Sequence, residues 1–230
     1  MLYPARGGSK RIKKKNIKLF LDKPIILWTI DEIRKTKIFD RIIVSTDDKD
    51  IINLCNQHGV EVPFKRPQNL SDDFTGTIDV IAHSCDWLLQ NNIPAKFVCC
   101  LYPASPFTFY KDIIMGYQKV KLDKWSYAFP VTEFEAPIFR SFLIDEKDKL
   151  QMLYPEHFTS RSQDLPKVFH DAGQFYWGKL DAWLEKKQLF GSHSFPIKIP
   201  RWRVQDIDTE DDWQRALNLK NIILDKDNWK

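Results

Sequence analysis

Arg6, Gly7, Gly8, Ser9, Lys10 and Arg11 stand in a row near the start of the chain, and Lys13, Lys14, Lys15 and Asn16 follow at once. Adjacent glycines let a backbone bend sharply and bring its N–H groups close to a ligand. A hydroxyl and several cations beside them suit a polyanion, because backbone donors and point charges together offset phosphate charge. Arg6, Ser9 and Lys10 are the expected phosphate contacts, with Lys15 and Asn16 behind them. Neither GxxxxGK(S/T) nor GxGxxG is present, so this is neither of the common nucleotide cradles. A solvated basic tail or a nucleic-acid patch would use the same residue types.

Asp206-Ile207-Asp208 is a second candidate. At a strand end, residues two apart face one side. Two carboxylates there repel unless a cation lies between them. Mg2+ commonly bridges one or two carboxylates to substrate phosphates. The alternative is a solvated turn in which acidic groups favour a helix N-terminus, which is the expected state of Asp211 and Asp212. Arg66, in a loop stiffened by Pro67 and trailed by Asp72-Asp73, has donors suited to a nucleobase carbonyl, or is a plain surface residue. Arg161, in Arg161-Ser162-Gln163, suits a bidentate pair with a substrate carboxylate, or an interface loop. Phe175, Tyr176 and Trp177 read as core. No Ser-His-Asp or Cys-His arrangement appears.

These residues need a frame to hold them. Strand-like and helix-like stretches alternate along the chain, which is the pattern of an α/β fold. Strands are expected at 41–46, 60–64, 96–101, 125–131, 168–177, 194–199 and 203–207. Helices are expected at 24–35, 47–59, 77–89, 112–121 and 178–187, with a last one from Thr209, where Thr209 and Asp212 form a capping box. Asp47 or Asp48 caps the second helix and Gly59 ends it. Between Glu133 and Lys167 the periodicity fails, and aromatics, prolines and charges mix; this part reads as an excursion used in dimerisation. Only Leu2 and Tyr3 precede the glycine loop, whereas strands usually run about five or six residues. The expectation is that several apolar residues belong ahead of Met1.

The 230 residues are 43% hydrophobic, enough for one sizeable domain spanning 1–230. A net charge of +4, from 35 basic and 31 acidic residues, suits a small anionic substrate rather than a protein that coats DNA. A mean hydropathy of -0.41 and the lack of a long apolar run argue against a membrane span. Met1 leads straight into Pro4-Ala5-Arg6, so no secretory leader is expected. Cys55, Cys85, Cys99 and Cys100 form no CxxC pair. They read as reduced core residues of a cytoplasmic protein.

Taken in order, the blocks Pro4–Arg11 with Lys15-Asn16-Ile17, Lys23-Pro24-Ile25, Ser45-Thr46-Asp47, Arg66-Pro67, Tyr102–Pro106, Ser160–Gln163, Gly173–Trp177 and Asp206–Thr209 with Asp212-Trp213 resemble the CMP-sialic acid synthetase family. These are cytidylyltransferases that activate nonulosonic acids. The Gly173-Gln174-Phe175-Tyr176-Trp177 block resembles the branch acting on pseudaminic acid. The resemblance implies a Rossmann-like nucleotide-sugar transferase fold, its mixed, mostly parallel sheet flanked by helices, with a dimerisation arm at 133–167. It implies a homodimer that uses CTP, Mg2+ and an acidic nine-carbon sugar, and binds neither nucleic acid nor membrane. It places Arg6, Ser9, Lys10 and Lys15 at the triphosphate, Asp206 and Asp208 at the metal, and Arg66 near cytosine. Tyr102, Arg161 and Gln163 fall towards the sugar, with Asn16 and Gln174 also among the substrate-binding residues. Arg6, Lys10 and Asp208 are then the catalytic set. Two departures are the nearly absent first strand and Lys13, where relatives often carry Pro. The same reaction on N-acetylneuraminic acid, legionaminic acid or a 3-deoxy-octulosonate, a CTP-binding protein without catalysis, and a nucleic-acid module at Arg11–Lys15 are the alternatives. Glycan decoration of a bacterial surface, flagellin included, follows from the resemblance alone.

Overall fold

In the computed structural model, residues 1–227 are described. The first half alternates strand and helix: β1 (Leu2–Pro4), a β2/β3 ribbon (Leu19–Phe20 and Lys23–Pro24), α1 (Ile25–Thr36), β4 (Ile43–Ser45), α2 (Lys49–Gln57), α3 (Thr77–Gln90) and β5 (Phe97–Leu101). The second half adds α4 (Tyr110–Val120), β6 (Tyr127–Glu133), a β7/β8 hairpin (Phe142–Ile144 and Leu150–Met152), β9 (Phe169–Asp171), β10 (Phe175–Lys179), α5 (Leu180–Leu184), β11 (Ser194–Lys198) and α6 (Glu210–Asp227).

The central sheet has the order β11-β6-β10-β5-β1-β4, with β9 joined to β6. β4, β1, β5, β6 and β11 run one way, while β9 and β10 run the other. The sheet is therefore mixed and mostly parallel. Successive residues of a strand point to opposite faces, and the chain uses both. Tyr3, Val44, Cys99 and Leu101 bury into one cluster with Ile26, Ile30 and Ile113 of the helices. Leu2, Ile43, Val98 and Cys100 bury into the other with Ile81, Cys85 and Trp183. Each such side chain contributes about 1.5–3 kcal/mol. All four cysteines are free and buried, as the apolar setting of Cys99 and Cys100 led one to expect. Among the described residues no helix is long and apolar enough to cross a membrane.

Asp48 caps α2, accepting from the Asp50 and Ile51 amides. At α6 the Thr209 amide donates to Asp212 at 2.9 Å and the Asp212 amide to Thr209 Oγ1 at 3.2 Å, the expected reciprocal box. Three stretches differ from expectation. Residues 60–64 form no strand: this stretch makes one isolated bridge, Ile43–Glu61, with a second, Thr46–Lys65, just beyond it, and Pro63 between them has no amide to donate. The run 168–177 splits into β9 and β10 at Gly173, whose φ of 61° no strand residue adopts. Residues 203–207 form no strand: a 3-10 turn at Arg201–Arg203 leads into an irregular segment.

β1 is as short as the sequence suggests. It pairs with β4 over Leu2–Pro4 but meets β5 only at Leu2–Cys100. Beside it lies a cavity of about 620 Å3 lined by Met1, Phe39, Phe97 and Trp177 among others. Residues 133–167 leave the sheet after β6 and return at β9. Their hairpin forms a two-stranded sheet of its own.

Candidate active site

The parallel strands β1, β4 and β5 end on one rim, and the chain leaving each of them carries polar residues. Ala5 donates its amide to Ser45 O at 3.0 Å, which ties the glycine loop to the end of β4. The Gly7 amide then donates to Asp47 Oδ1 at 2.9 Å. A Cβ on Gly7 would lie 2.6 Å from Asp48 Oδ2, so this position must be glycine. Neither Gly7 nor Gly8 has a positive φ. Close approach to α2, rather than a left-handed turn, is what the pair provides.

Asn16 is 7% exposed and donates to Arg6 O at 2.9 Å. It shapes the loop from behind. Ser9 sits within the loop, its amide on Gly7 O at 3.0 Å. Arg6 Nη1 pairs with Asp73 Oδ1 at 2.9 Å, and Lys10 Nζ pairs with the other oxygen of Asp73. Lys10 first, then Arg6, hold the Asp73 carboxyl below the usual carboxylate range. The 72–73 loop therefore occupies Arg6 and Lys10.

Arg66 is buried at 4% exposure, its Nε on Ser45 Oγ at 3.0 Å and an Nη on Ser45 O. Burial lowers its pKa to about 10. Arg6, Arg66, Thr77 and Tyr102 line one cavity of about 200 Å3, with Asp72 and Asp73 at its side. Tyr102 continues β5 and hydrogen-bonds Thr77 across that cavity at 2.8 Å.

Across the glycine loop, Lys15 Nζ donates to Ile207 O at 2.7 Å and approaches Asp208 Oδ1 at 3.3 Å. Arg11 reaches the same oxygen of Asp208 at 2.9 Å. Ile207 is buried, so Asp206 and Asp208 fall on either side of an anchored residue although no strand forms here. Desolvation first, and the Asp208 charge next, raise the Asp206 carboxyl above its ordinary value. A carboxylate pair of this kind favours a cation between its members. Among the described residues no third carboxylate, His or Cys joins them. The donor set suits an ion such as Mg2+ that takes its remaining ligands from water and phosphate.

Three of the expected residues lie elsewhere. Gln174 is 3% exposed, and its Nε2 donates to Arg203 O at 2.7 Å. It ties the start of β10 to the segment that leads to Asp206, and its Oε1 has no partner. Arg161 is exposed on the arm in an ion pair with Asp164 at 2.7 Å. Gln163 lines a separate cavity at the arm's base with Glu133, Pro137 and Lys167. The protomer brings neither to the Arg6–Tyr102 cavity. Asp47 and Asp73, conversely, shape the loop more than their sequence positions suggest. Asp47 reads as a helix cap and Asp73 as a loop acid; in the fold Asp47 accepts the Gly7 amide and Asp73 pairs with Arg6 and Lys10.

A family model described as cytidylyltransferase matches residues 1–206. The chain is 42% identical over 222 residues to a pseudaminic acid cytidylyltransferase of Campylobacter jejuni, covering 96% of this chain and 95% of that one. The chain belongs to the cytidylyltransferase family. An N-acylneuraminate cytidylyltransferase of Escherichia coli is 24% identical, over 95% of this chain and 51% of its own length. The fold of this cytidylyltransferase also matches a CMP:2-keto-3-deoxy-manno-octonic acid synthetase solved with CTP. The TM-score is 0.69 at 15% identity, covering 96% of this chain and 97% of that one. A nucleotidyltransferase fold and a rim lined with cations thus agree with the family assignment.

Proposed function

We propose that this cytidylyltransferase transfers CMP from CTP to pseudaminic acid, with Mg2+, as a cytoplasmic homodimer. The observation that carries the proposal is the rim: Arg6, Arg66 and Tyr102 share one cavity, Lys10 stands beside it and Lys15 links the glycine loop to Asp208. The 42% identity to a relative named for pseudaminic acid supports the choice of sugar.

The anomeric hydroxyl oxygen bonds to the α-phosphorus and releases its proton to solvent, the bond from the α-phosphorus to the bridging oxygen breaks, and diphosphate leaves with those electrons. Catalysis of this kind is positioning plus neutralisation of charge. Arg6 and Lys10 exchange Asp73 for triphosphate oxygens, and Ser9 adds a donor. Asn16 holds the Arg6 carbonyl behind the loop. Arg66, pinned on Ser45, faces the base. Asp206 and Asp208 hold the metal, which when bound offsets negative charge on the phosphates. Arg11 and Lys15, now on Asp208, stand where they would also meet the triphosphate.

The arm supports the homodimer. Phe142, Leu143, Ile144 and Leu150 are each at least half exposed, and a lone two-stranded hairpin is marginal in water. A second copy covering these faces would also carry Arg161 and Gln163 to a neighbouring rim, where Arg161 meets the sugar carboxylate.

Diphosphate release from CTP and Mg2+, with pseudaminic and N-acetylneuraminic acids in parallel, tests the reading. Release with pseudaminic acid is expected. Release with N-acetylneuraminic acid alone would keep the chemistry and overturn the sugar. Release with neither would overturn the reaction.

A further inference from the structure

Asp206 and Asp208 lie on a stretch that no strand ladder holds, so other contacts must set where the two carboxylates stand. At its far end Ile207 is buried with Phe20 and Trp213, and the Ile207 carbonyl accepts from Lys15 at 2.7 Å. At its near end the stretch hangs on Arg203. The Arg203 carbonyl accepts from Gln174 Nε2 at 2.7 Å. The Arg203 guanidinium ion-pairs with Asp112 of α4 and lies over the Phe109 ring, 3.8 Å from its centroid. Arg203 is 7% exposed and Asp112 9%. Arg203 Nε has no partner, so the grip on α4 rests on Asp112 and that ring.

α4 is a fixed post. The Tyr110 amide donates to Glu32 of α1 at 2.9 Å, and the Ile113 carbonyl accepts from Trp177 of β10 at 2.8 Å. Asp112 sits between these two ties. A buried ion pair is a poor source of stability, because desolvation of both charges offsets their attraction. What it supplies is direction: a carboxylate on a fixed helix accepts a guanidinium at few angles, whereas an apolar contact slides. Asp206 stands three residues beyond Arg203, at most about 11 Å of extended chain. An error at Arg203 is therefore carried to the carboxylates.

We infer that Asp112 is a positioning residue: by holding Arg203 against α4 it fixes where Asp206 and Asp208 stand, and so the spacing that a divalent cation meets. This rests on the proposed reading of the two carboxylates as metal ligands. Asp112 acts only through Arg203.

The test uses Asp112→Asn, and the paired change Asp112→Leu with Arg203→Met, in the full chain. Losing one charge strands the other, whereas an apolar pair of similar size keeps the fold, which circular dichroism checks. Mn2+ alone, followed by the electron paramagnetic resonance of the free ion, is expected to bind both variants about tenfold more weakly, the lower end of the range for groups that orient metal ligands. The Mg2+ concentration for half-maximal diphosphate release rises to match, and KM for the sugar stays within about twofold. Glu61→Gln, which weakens the Arg41 pair beside β4, leaves both as they are. In the metal-free variants, backbone 15N order parameters of Gln205, Asp206 and Ile207 fall from about 0.85 towards about 0.6 while those of β5 hold. Unchanged order parameters, or a fall shared by β5, would overturn the inference. So would undiminished Mn2+ binding where Asp208→Asn abolishes it. If Asp208→Asn binds Mn2+ as tightly as the unaltered protein, the metal reading falls, and the order parameters, which need no metal, still decide whether Asp112 sets the segment.

Discussion

The sheet rim and the 133–167 arm solve opposite problems. At the rim nearly every charged group has an internal partner: Asp73 takes Arg6 and Lys10, Asp208 takes Arg11 and Lys15, and Ser45 takes Arg66. On the arm, apolar side chains face water along the whole hairpin, with Ile144 at 70% and Leu150 at 63% exposure. Buried apolar surface stabilises a fold at about 25 cal/mol per Å2, and the arm leaves its share unused. The rim is complete and waits for a ligand to exchange partners. The arm leaves its apolar faces uncovered.

The sharpest way to break the comparison is to remove a rim charge that has no substitute. Asp208→Asn is expected to lower turnover by about 10²- to 10³-fold, the range for loss of one electrostatic stabiliser, with the circular dichroism unchanged. Near-normal turnover would deny Asp208 its metal. On the arm, a charge in an apolar face should act through assembly instead. Ile144→Lys with Leu150→Glu is expected to shift the protein from dimer to monomer by light scattering, and to lower activity about tenfold while CTP binding holds. A dimer of unchanged mass would place the interface elsewhere. The smallest effect should be a gain. In the proposed reading Asp73 competes with the triphosphate for Arg6 and Lys10, so Asp73→Asn is expected to lower KM for CTP by about two- to fivefold, in keeping with the modest worth of an exposed ion pair. A raised KM would make Asp73 a ligand contact rather than a competitor.

The two regions also differed in what the sequence revealed. β4, β5 and the helices facing them were legible because each has an apolar run or stripe stopped by a cap or turn: Ile43–Ser45, Phe97–Leu101, and Asp48 ahead of α2. The capping box at Thr209–Asp212 was visible for the same local reason. Residues 203–207 misled: the short stretch holding Val204 and Ile207 reads as a strand, yet the chain there hangs on Gln174 and Lys15 rather than on a ladder. Gln174 shows the limit most plainly: its amide serves Arg203 O from 29 residues away, which no local pattern records. Asp73 was noticed near Arg66, but its partners lie more than 60 residues earlier. On the arm no pattern was legible, since its apolar residues pack on no element of this chain's core and stay exposed.

That the rim of one protomer is completed by the arm of another is most directly tested by mixing subunits. Asp208→Asn and Arg161→Ala proteins are each assayed alone, then unfolded, refolded together in equal amounts and assayed with sugar held well below KM. Random pairing makes about half the dimers mixed, and each mixed dimer then holds one site with an intact rim and an intact arm from its neighbour. The account predicts recovery to about a quarter of the unaltered activity. A mixture no more active than the average of its two components would mean that each arm serves its own rim or none.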